Sequence, residues 1–327
     1  MSFANIVGHQ RPKEMLSRSL AHTTVHTGYL FTGPAGVGKH LVATEFVRAW
    51  LCLEASGTAC GVCESCTSVG LKPHLDLIEV IPEKTKSILI EQVRALGEWI
   101  AQSPALGRRK AAIIDPASSL TTQAANALLK TLEEPPLERI IVLIATSPGS
   151  LPPTVRSRCQ QVSFGSLSDD EVAEVLRRNS WPAQAARQAA TLAEGSPGIA
   201  LQRDGRLWQE TAAAVRVVLD ALAAGDCGPA LAFAEVSGDP RERALAALQA
   251  IIGFSRLATR QRLGDPGIGS DAVPAMFGRM GSEQIGRLLA GAVETHRRLE
   301  GDRPPNAKLA LAVLLAGASD AGVRQCS

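Results

Sequence analysis

A glycine-rich segment that ends in a lysine is the clearest candidate for chemistry in this sequence. Residues 33–40 read GPAGVGKH, which is the spacing of a phosphate-binding loop. Its glycines, Gly33, Gly36 and Gly38, let backbone N–H groups turn inward around phosphate oxygens. Lys39 supplies a positive charge for the terminal phosphates. The alternative is an ordinary tight turn with Lys39 in solvent, but the full spacing favours a nucleotide site.

Two positions depart from what ATP hydrolysis needs. A phosphate-binding loop normally continues with Ser or Thr, whose hydroxyl binds Mg²⁺, but His40 offers no oxygen ligand. The apolar run 111–114 ends in Asp115, and this resembles the Walker B strand of AAA+ ATPases. Those enzymes continue with a glutamate that activates water, worth about 10²–10⁴ in rate, whereas this chain has Pro116. The sequence predicts little or no hydrolysis and leaves nucleotide binding open.

Four cysteines form a second candidate site. Cys52, Cys60, Cys63 and Cys66 have the spacing Cys-x7-Cys-x2-Cys-x2-Cys. A Cys-x2-Cys pair lets two thiolates reach one ion from a tight turn, and four cysteines complete a tetrahedral zinc site with no position left for water. Free thiols are the alternative, and His74 is a substitute ligand that we expect to be structural. The spacing predicts a structural zinc ion.

Arg158 is a third candidate, in the segment Ser157-Arg158-Cys159. It follows a predicted buried strand and the loop 147–155. A guanidinium there could reach a phosphate on a neighbouring subunit, because its charge is permanent and its donors are fixed in one plane. Most arginines are solvated, so the residues alone favour an ordinary surface arginine at this position.

These candidates lie where strand-like and helix-like segments alternate. Apolar strands are predicted over 29–32, 76–81, 111–115 and 140–146, and helices over 40–53, 88–101 and 122–133. The alternation predicts an α/β core, a parallel sheet with helices on both faces, over residues 1–165.

Beyond about residue 165 only helices are predicted. Ser168 precedes three acidic residues, as at a helix N-terminus. Helices are expected at about 168–178, 183–194, 208–225, 228–237, 240–263, 282–300 and 306–318, with a further helix from about 198 and a loop over 264–282. We therefore expect a small helical domain over 166–207 and a second all-α domain over 208–327.

The composition restricts the class of protein. A chain of 327 residues with 45% hydrophobic residues should form two or three globular domains. The net charge of +2 is too small to indicate tight DNA binding by the chain alone. An autonomous zinc-containing nucleic-acid binder is disfavoured because residues 52–71 contain neither Lys nor Arg. No membrane span or signal peptide is predicted, so we expect a cytoplasmic protein.

Three further segments resemble the bacterial DNA polymerase III clamp-loader subunits of gamma/tau and delta-prime type. They are ANALLKTLEEPP at 125–136, LPPTVRSRC at 151–159 and NAKLAL at 306–311. The cysteine cluster resembles the zinc module of this family. The resemblance implies an AAA+ core with a zinc module at 52–66, a helical lid and a collar for oligomerisation. It also implies that Arg158 serves as a trans arginine finger to ATP on an adjacent gamma/tau subunit.

Within the family, His40 and Pro116 resemble the delta-prime type, because active gamma/tau subunits carry Thr and Glu there. Ile199 stands where an active AAA+ protein places a phosphate-sensing arginine. The resemblance implies a stator-like accessory subunit in a hetero-pentamer with gamma/tau and delta, which loads the sliding clamp onto primed DNA in replication. The chain itself is expected to lack polymerase and ATPase activity, although the whole complex is a nucleotidyltransferase. An active gamma/tau-type ATPase is the alternative, which measurable turnover would favour.

Overall fold

The structure, a computed structural model, describes most of the chain and divides it into two compact units. The described residues are 3–21, 25–54, 57–70, 74–83, 87–193, 195–201, 205–224, 226, 240–264, 273–300 and 305–319. One unit is formed by Met1–Glu171 with Gly195–Gly198, and the other by Val172–Glu194 with Ile199–Ser327. All candidate site residues lie in the first unit. The finer division into core, lid and collar stays a prediction.

The first unit alternates strands and helices as predicted. Its elements are α1 (Gln10–Ala21), β1 (Gly28–Thr32), α2 (Lys39–Leu51), α3 (Glu64–Ser68), β2 (Leu77–Val80), α4 (Ile90–Ala101), β3 (Lys110–Ile114), α5 (Thr122–Glu133), β4 (Arg139–Ala145), α6 (Pro153–Arg156) and β5 (Cys159–Ser163). Short 3₁₀ turns follow β3 and β4, at Ala117–Ser119 and Pro148–Ser150.

The five strands form one parallel sheet in the order β2-β3-β4-β1-β5. The carboxyl ends of parallel strands meet at one edge of a sheet. The segments that follow β1 and β3, which carry Lys39 and Asp115, therefore lie at the same edge. Residues that precede strands, such as Arg158 before β5, lie at the opposite edge.

Alternate residues of each strand enter two apolar clusters, one on each face of the sheet. Tyr29 and Phe31 of β1 pack into a cluster with residues of α1 and α2. Leu30, between them, packs into a cluster with residues of α4 and α5. β3 and β4 are buried along their whole length, as is usual for parallel strands covered on both sides. The predicted α/β core is confirmed.

The predicted strands and helices of this unit all form, with ends within two residues of those predicted. Four elements, α1, α3, α6 and β5, were not predicted; α3 and α6 are helices of only five and four residues. β5 reads CQQVS and buries only Val162, because it lies at the edge of the sheet beside β1. Its polar sequence gives no strand signal, and its partner comes from far along the chain. In α1, Pro12 interrupts the helical pattern but falls within the first turn, where proline is tolerated.

The described residues of the second unit form helices and the segments that connect them, and no strand. α7 (Asp169–Arg178) and α9 (Pro197–Leu201) begin in the first unit, and α8 (Ala183–Ala193), α10 (Gly205–Ala224), α11 (Pro240–Arg262), α12 (Ala275–Arg279), α13 (Ser282–Glu300) and α14 (Ala307–Ser319) lie in the second. The helix predicted at 228–237 lies outside the described residues. None of the helices in the described part is long and apolar enough to cross a membrane.

One expectation for this unit was wrong. The segment 264–282 was predicted as loop, but α12 forms within it. Pro274 precedes the helix, where its fixed φ is favourable, and Met276 and Phe277 are buried. Burial of these two side chains stabilises a short helix. It was not predicted because the glycines and prolines around it are typical of a loop.

Candidate functional site

The phosphate-binding-loop segment joins β1 to α2. Lys39 is the first residue of α2, a helix of 13 residues. Gly38 before it has φ +102°, in the left-handed region that favours glycine. The helix N-terminus leaves unpaired N–H groups that favour an anion. The local backbone is therefore that of a phosphate-binding loop.

The Lys39 ammonium group is bound to the loop itself. Its Nζ donates to the carbonyl oxygens of Gly33 and Pro34, each at 2.7 Å, and the residue is buried. Burial lowers the pKa of Lys39, and the charge of Asp115 opposes this shift. In this arrangement the lysine stabilises the loop by binding its carbonyl groups.

Two more carbonyl groups of the loop accept hydrogen bonds from distant segments. His9 Nε2 lies 2.8 Å from the carbonyl oxygen of Val37, so this nitrogen carries the hydrogen. The Gly198 N–H donates to the Gly36 carbonyl at 2.8 Å, and a Cβ at position 198 would lie 2.7 Å from the Gly36 Cα. Glycine is needed there for this close approach. No sequence motif indicated either contact.

His40 and Asp115 meet at the carboxyl edge of the sheet. His40 Nδ1 lies 3.0 Å from Asp115 Oδ2, although the residues are 75 positions apart in the sequence. This hydrogen bond is the main cause that raises the pKa of His40, against an opposing effect of burial. Pro116 follows Asp115 directly. The site thus pairs its carboxylate with an imidazole and offers neither the hydroxyl nor the glutamate that hydrolysis requires.

The four cysteines converge, and their geometry fits a metal ion. Cys52 follows α2 directly, Cys63 caps α3 and Cys66 lies within α3. The sulfur atoms of these three residues and of Cys60 all lie within 4.8 Å of one another. A tetrahedral zinc–thiolate site with Zn–S bonds of about 2.3 Å places its sulfurs about 3.8 Å apart, and Cys60 Sγ lies 3.9 Å from Cys66 Sγ. The cluster can therefore hold a metal ion.

Backbone N–H groups point at two of these sulfurs. The Cys63 N–H donates to Cys60 Sγ at 3.3 Å, and the Cys66 N–H donates to Cys63 Sγ at 3.4 Å. Hydrogen bonds from the backbone of Val62 and Cys63 lower the pKa of Cys60 to about 7. Burial raises the pKa of Cys66 to about 12. A cation among the sulfurs would favour the thiolate of both residues.

His74 is engaged elsewhere, as expected for a structural residue. Its Nδ1 accepts the Asp76 N–H at 2.9 Å. Its Nε2 therefore carries the hydrogen and lies 2.9 Å from Ser65 Oγ on α3. Both ring nitrogens are used, so His74 does not act as a fifth ligand but ties the helix of the cysteine cluster to the start of β2.

Arg158 lies directly before β5 and is held by three contacts within its own unit. Its Nη2 is 2.5 Å from Glu133 Oε1 at the end of α5. Its Nη1 donates to the Thr154 carbonyl at 2.9 Å and to Ser157 Oγ at 3.3 Å. About a third of the side chain is exposed. No pattern in the sequence indicates Glu133 as its partner.

Arg158 and the phosphate-binding loop lie at opposite edges of the sheet. Cys159, the next residue, is paired with Gly28 at the start of β1, while the loop follows the end of β1. β1 has five residues, and at about 3.3 Å per residue it separates the two edges by about 16 Å. Arg158 is therefore far from the phosphate-binding loop of its own chain.

The segment that carries these sites resembles known replication proteins. Residues 8–168 match the family model described as DNA polymerase III, delta subunit. The chain is 37% identical over 191 residues to DNA polymerase III subunit delta' of Pseudomonas aeruginosa. It is 36% identical over 177 residues to subunit tau/gamma of Haemophilus influenzae. This segment belongs to the DNA polymerase III clamp-loader family. Every candidate site residue falls within the part that the family model matches.

The likeness covers part of each chain. The matched region is 57% of this chain and 58% of the Pseudomonas protein, and 54% of this chain and 25% of the Haemophilus protein. Among solved structures, a gamma-subunit-related protein of Thermotoga maritima is 19% identical with a TM-score of 0.46, covering 94% of this chain and 98% of that chain. The parallel sheet of this chain itself shows the α/β fold.

Proposed function

We propose that this chain is a delta-prime-type accessory subunit of a bacterial DNA polymerase III clamp loader. It forms a hetero-pentamer with gamma/tau and delta subunits, and this assembly loads the sliding clamp onto primed DNA. The observation that carries the proposal is the pair formed by His40 and Asp115 in a chain of this family. His40 stands where an active relative needs a hydroxyl, and Pro116, directly after Asp115, stands where it needs a water-activating glutamate.

The phosphate-binding loop serves structure in this proposal. Lys39 donates hydrogen bonds to the carbonyl groups of Gly33 and Pro34, and His40 forms a hydrogen bond with the Asp115 carboxylate. Mg²⁺ needs oxygen ligands, and losing the general base alone costs about 10²–10⁴ in rate. The chain therefore contributes no ATP turnover of its own. Nucleotide binding by Gly36, Gly38 and Lys39 would require Lys39 to exchange its carbonyl partners for phosphate oxygens.

The cysteine cluster holds one structural zinc ion in this proposal. Support comes from the convergence of four sulfurs, the N–H groups that point at them and the soft ligand set, which favours zinc over Mg²⁺ or Ca²⁺. Four protein ligands leave no position for water, so the ion stabilises the segment between α2 and β2. It has no role in the chemistry of ATP.

Arg158 acts across a subunit interface in this proposal, as a trans arginine finger to ATP held by a gamma/tau neighbour. It lies far from its own phosphate-binding loop, and that loop lacks the groups for hydrolysis. In other phosphoryl-transfer systems such a finger is worth about 10³–10⁵ in rate. The effect in a ring with several ATP sites is smaller, because the other interfaces keep their own arginines.

Reconstitution tests the function. The purified chain is mixed with gamma/tau and delta subunits, gel filtration checks for one assembly, and loading of the clamp onto primed DNA is measured with and without the chain. We expect co-elution and loading that depends on the chain. Arg158→Ala should leave co-elution intact and slow loading and DNA-stimulated ATPase. A chain that fails to join the assembly contradicts the proposed function, and an Arg158→Ala assembly with normal rates contradicts the finger.

A further inference from the structure

The terminal nitrogens of the proposed finger are bound within the chain. Nη2 of Arg158 pairs with Glu133 Oε1 at 2.5 Å, and Nη1 donates to the Thr154 carbonyl and to Ser157 Oγ. A guanidinium binds a phosphate through two parallel bonds, for which its terminal nitrogens are best placed. Arg158 must exchange at least one of these contacts before it can bind phosphate in that way.

The contact with Glu133 carries the charge, and its surroundings allow it to be exchanged. Glu133 is 47% exposed and Arg158 is 36% exposed at the side chain, so water can reach both groups. Exposed ion pairs of this kind are weak and are screened by salt. The phosphates of a nucleotide carry more negative charge than one carboxylate, and at a closed interface less water competes with them.

We propose that Glu133 is a positioning residue. It holds Arg158 by an ion pair in the unassembled chain and competes with the neighbour's nucleotide for the Arg158 guanidinium. The proposal rests on the proposed function, since it requires that Arg158 acts on a neighbouring subunit. Glu133 ends α5 and Arg158 precedes β5, so the two meet only because the fold brings both to the amino edge of the sheet. Engagement of the finger then consists of replacing a carboxylate by a phosphate.

Glu133→Gln tests this in the reconstituted clamp loader, because it removes the charge and keeps the shape. We measure the concentration of this chain that gives half-maximal stimulation of DNA-dependent ATPase. The variant should need about two- to fivefold less protein, which is the worth of an exposed ion pair. Glu134→Gln is the matched control, since Glu134 is exposed, adjacent and without a described contact to Arg158; it should behave as the wild type.

Salt dependence distinguishes competition for charge from a change in shape. The advantage of Glu133→Gln over Glu134→Gln should be largest at about 0.1 M salt and vanish near about 0.5 M, where charges a few ångströms apart are screened. An advantage that does not change with salt overturns the proposal. So does equal or weaker stimulation by Glu133→Gln than by the control.

Arg158→Ala separates this proposal from the function on which it rests. If Arg158→Ala lowers the stimulated ATPase rate but Glu133→Gln does not lower the half-maximal concentration, the role of Arg158 is upheld and the role of its contact with Glu133 is wrong. If Arg158→Ala changes nothing, the proposed finger is itself wrong and its contact with Glu133 has no role in ATPase. The Glu133→Gln change should have no effect in the Arg158→Ala background, and an effect there overturns the proposal.

Discussion

His40 and Asp115 show how a single residue type decides the chemistry of a site. Asp115 lies just beyond the end of β3, and His40 lies in the first turn of α2, the helix that follows β1. The parallel sheet therefore brings His40 Nδ1 within 3.0 Å of Asp115 Oδ2. A serine or threonine at position 40 would offer a hydroxyl oxygen to a cation beside the same carboxylate. An imidazole bonds the carboxylate directly. The phosphate-binding backbone is retained while the ligand set for Mg²⁺ is lost.

This pair should make stability depend on pH. The pKa of His40 is raised in the folded state above its unfolded value of about 6.5. Its contribution is therefore fully present below about pH 6.5 and is lost as pH rises through the folded pKa. His40→Gln should lower the free energy of unfolding more at pH 6 than at pH 8. Urea unfolding of both proteins at the two pH values checks this, and equal differences would refute it.

The cysteine cluster gives a prediction on metal content. Protein purified without added metal should carry one zinc ion per chain. Cys60→Ser should lose the zinc and lower the stability, because the remaining three thiolates leave the site incomplete. Cys326→Ser is the control, because Cys326 is not one of the four cysteines with this spacing, and the variant should keep the zinc. Elemental analysis and thermal unfolding measure the two effects, and a metal content below a few tenths of an equivalent in the wild type would count against the site.

At the scale of secondary structure, buried charges hold the amino edge of the sheet. Lys110 at the start of β3 and Arg139 at the start of β4 are both buried. Lys110 Nζ donates to the Trp99 carbonyl at 2.8 Å and lies 4.0 Å from the centre of the Trp99 ring. Burial lowers the pKa of both cations, and the charge of Asp76 opposes the shift in each. Asp76 thus offsets both buried positive charges, and Glu138 also opposes the shift in the pKa of Arg139.

Asp76→Asn should therefore destabilise the first unit. The carboxylate also accepts the N–H groups of Ala105 and Leu106 at 2.7 and 2.8 Å. Hydrogen bonds to charged groups are worth about 1.5–3 kcal/mol, and a loss of this size is expected in the free energy of unfolding. Glu54→Gln, at an exposed acid, is the control and should change stability by less than about 0.5 kcal/mol. Equal stability of the two variants in urea would contradict this role for Asp76.

The strands and helices that the sequence predicted are those with a strong local pattern. β3 and β4 are continuous apolar runs, and α5 begins at the capping residue Thr121, whose side chain accepts the Ala124 N–H. β5 could not be predicted in this way, because an edge strand of polar residues is defined by its pairing with β1. Long-range pairing leaves no mark in a short window of sequence.

The candidate site divides in the same way. Spacing alone indicated the four cysteines and the phosphate-binding loop, because their chemistry needs fixed intervals along the chain. The partners of these residues were not predictable. Glu133 beside Arg158, and Gly198 beside Gly36, come from other elements and belong to no local motif. They depend on how the sheet and its helices pack.

At the scale of the whole molecule, the two edges of the sheet carry complementary groups. The carboxyl edge presents the phosphate-binding loop, and the amino edge presents Arg158 beside Glu133. A separation of about 16 Å along β1 prevents one chain from using both on the same phosphate. In the proposed role, the arginine at one edge therefore meets a nucleotide held by a neighbouring subunit. This is the geometry that the proposed clamp-loader role requires.

The isolated chain should consequently show no ATP turnover above background. His40 supplies no oxygen to Mg²⁺, Pro116 cannot activate water, and Arg158 lies at the wrong edge of its own sheet. Lys39→Ala is the informative variant, because it removes the charge on which any phosphate-binding loop depends. It should leave the background rate unchanged in a steady-state assay. Turnover near about 1 s⁻¹, the low end of ordinary enzymes, that disappears in Lys39→Ala would instead make the chain an active ATPase of gamma/tau type.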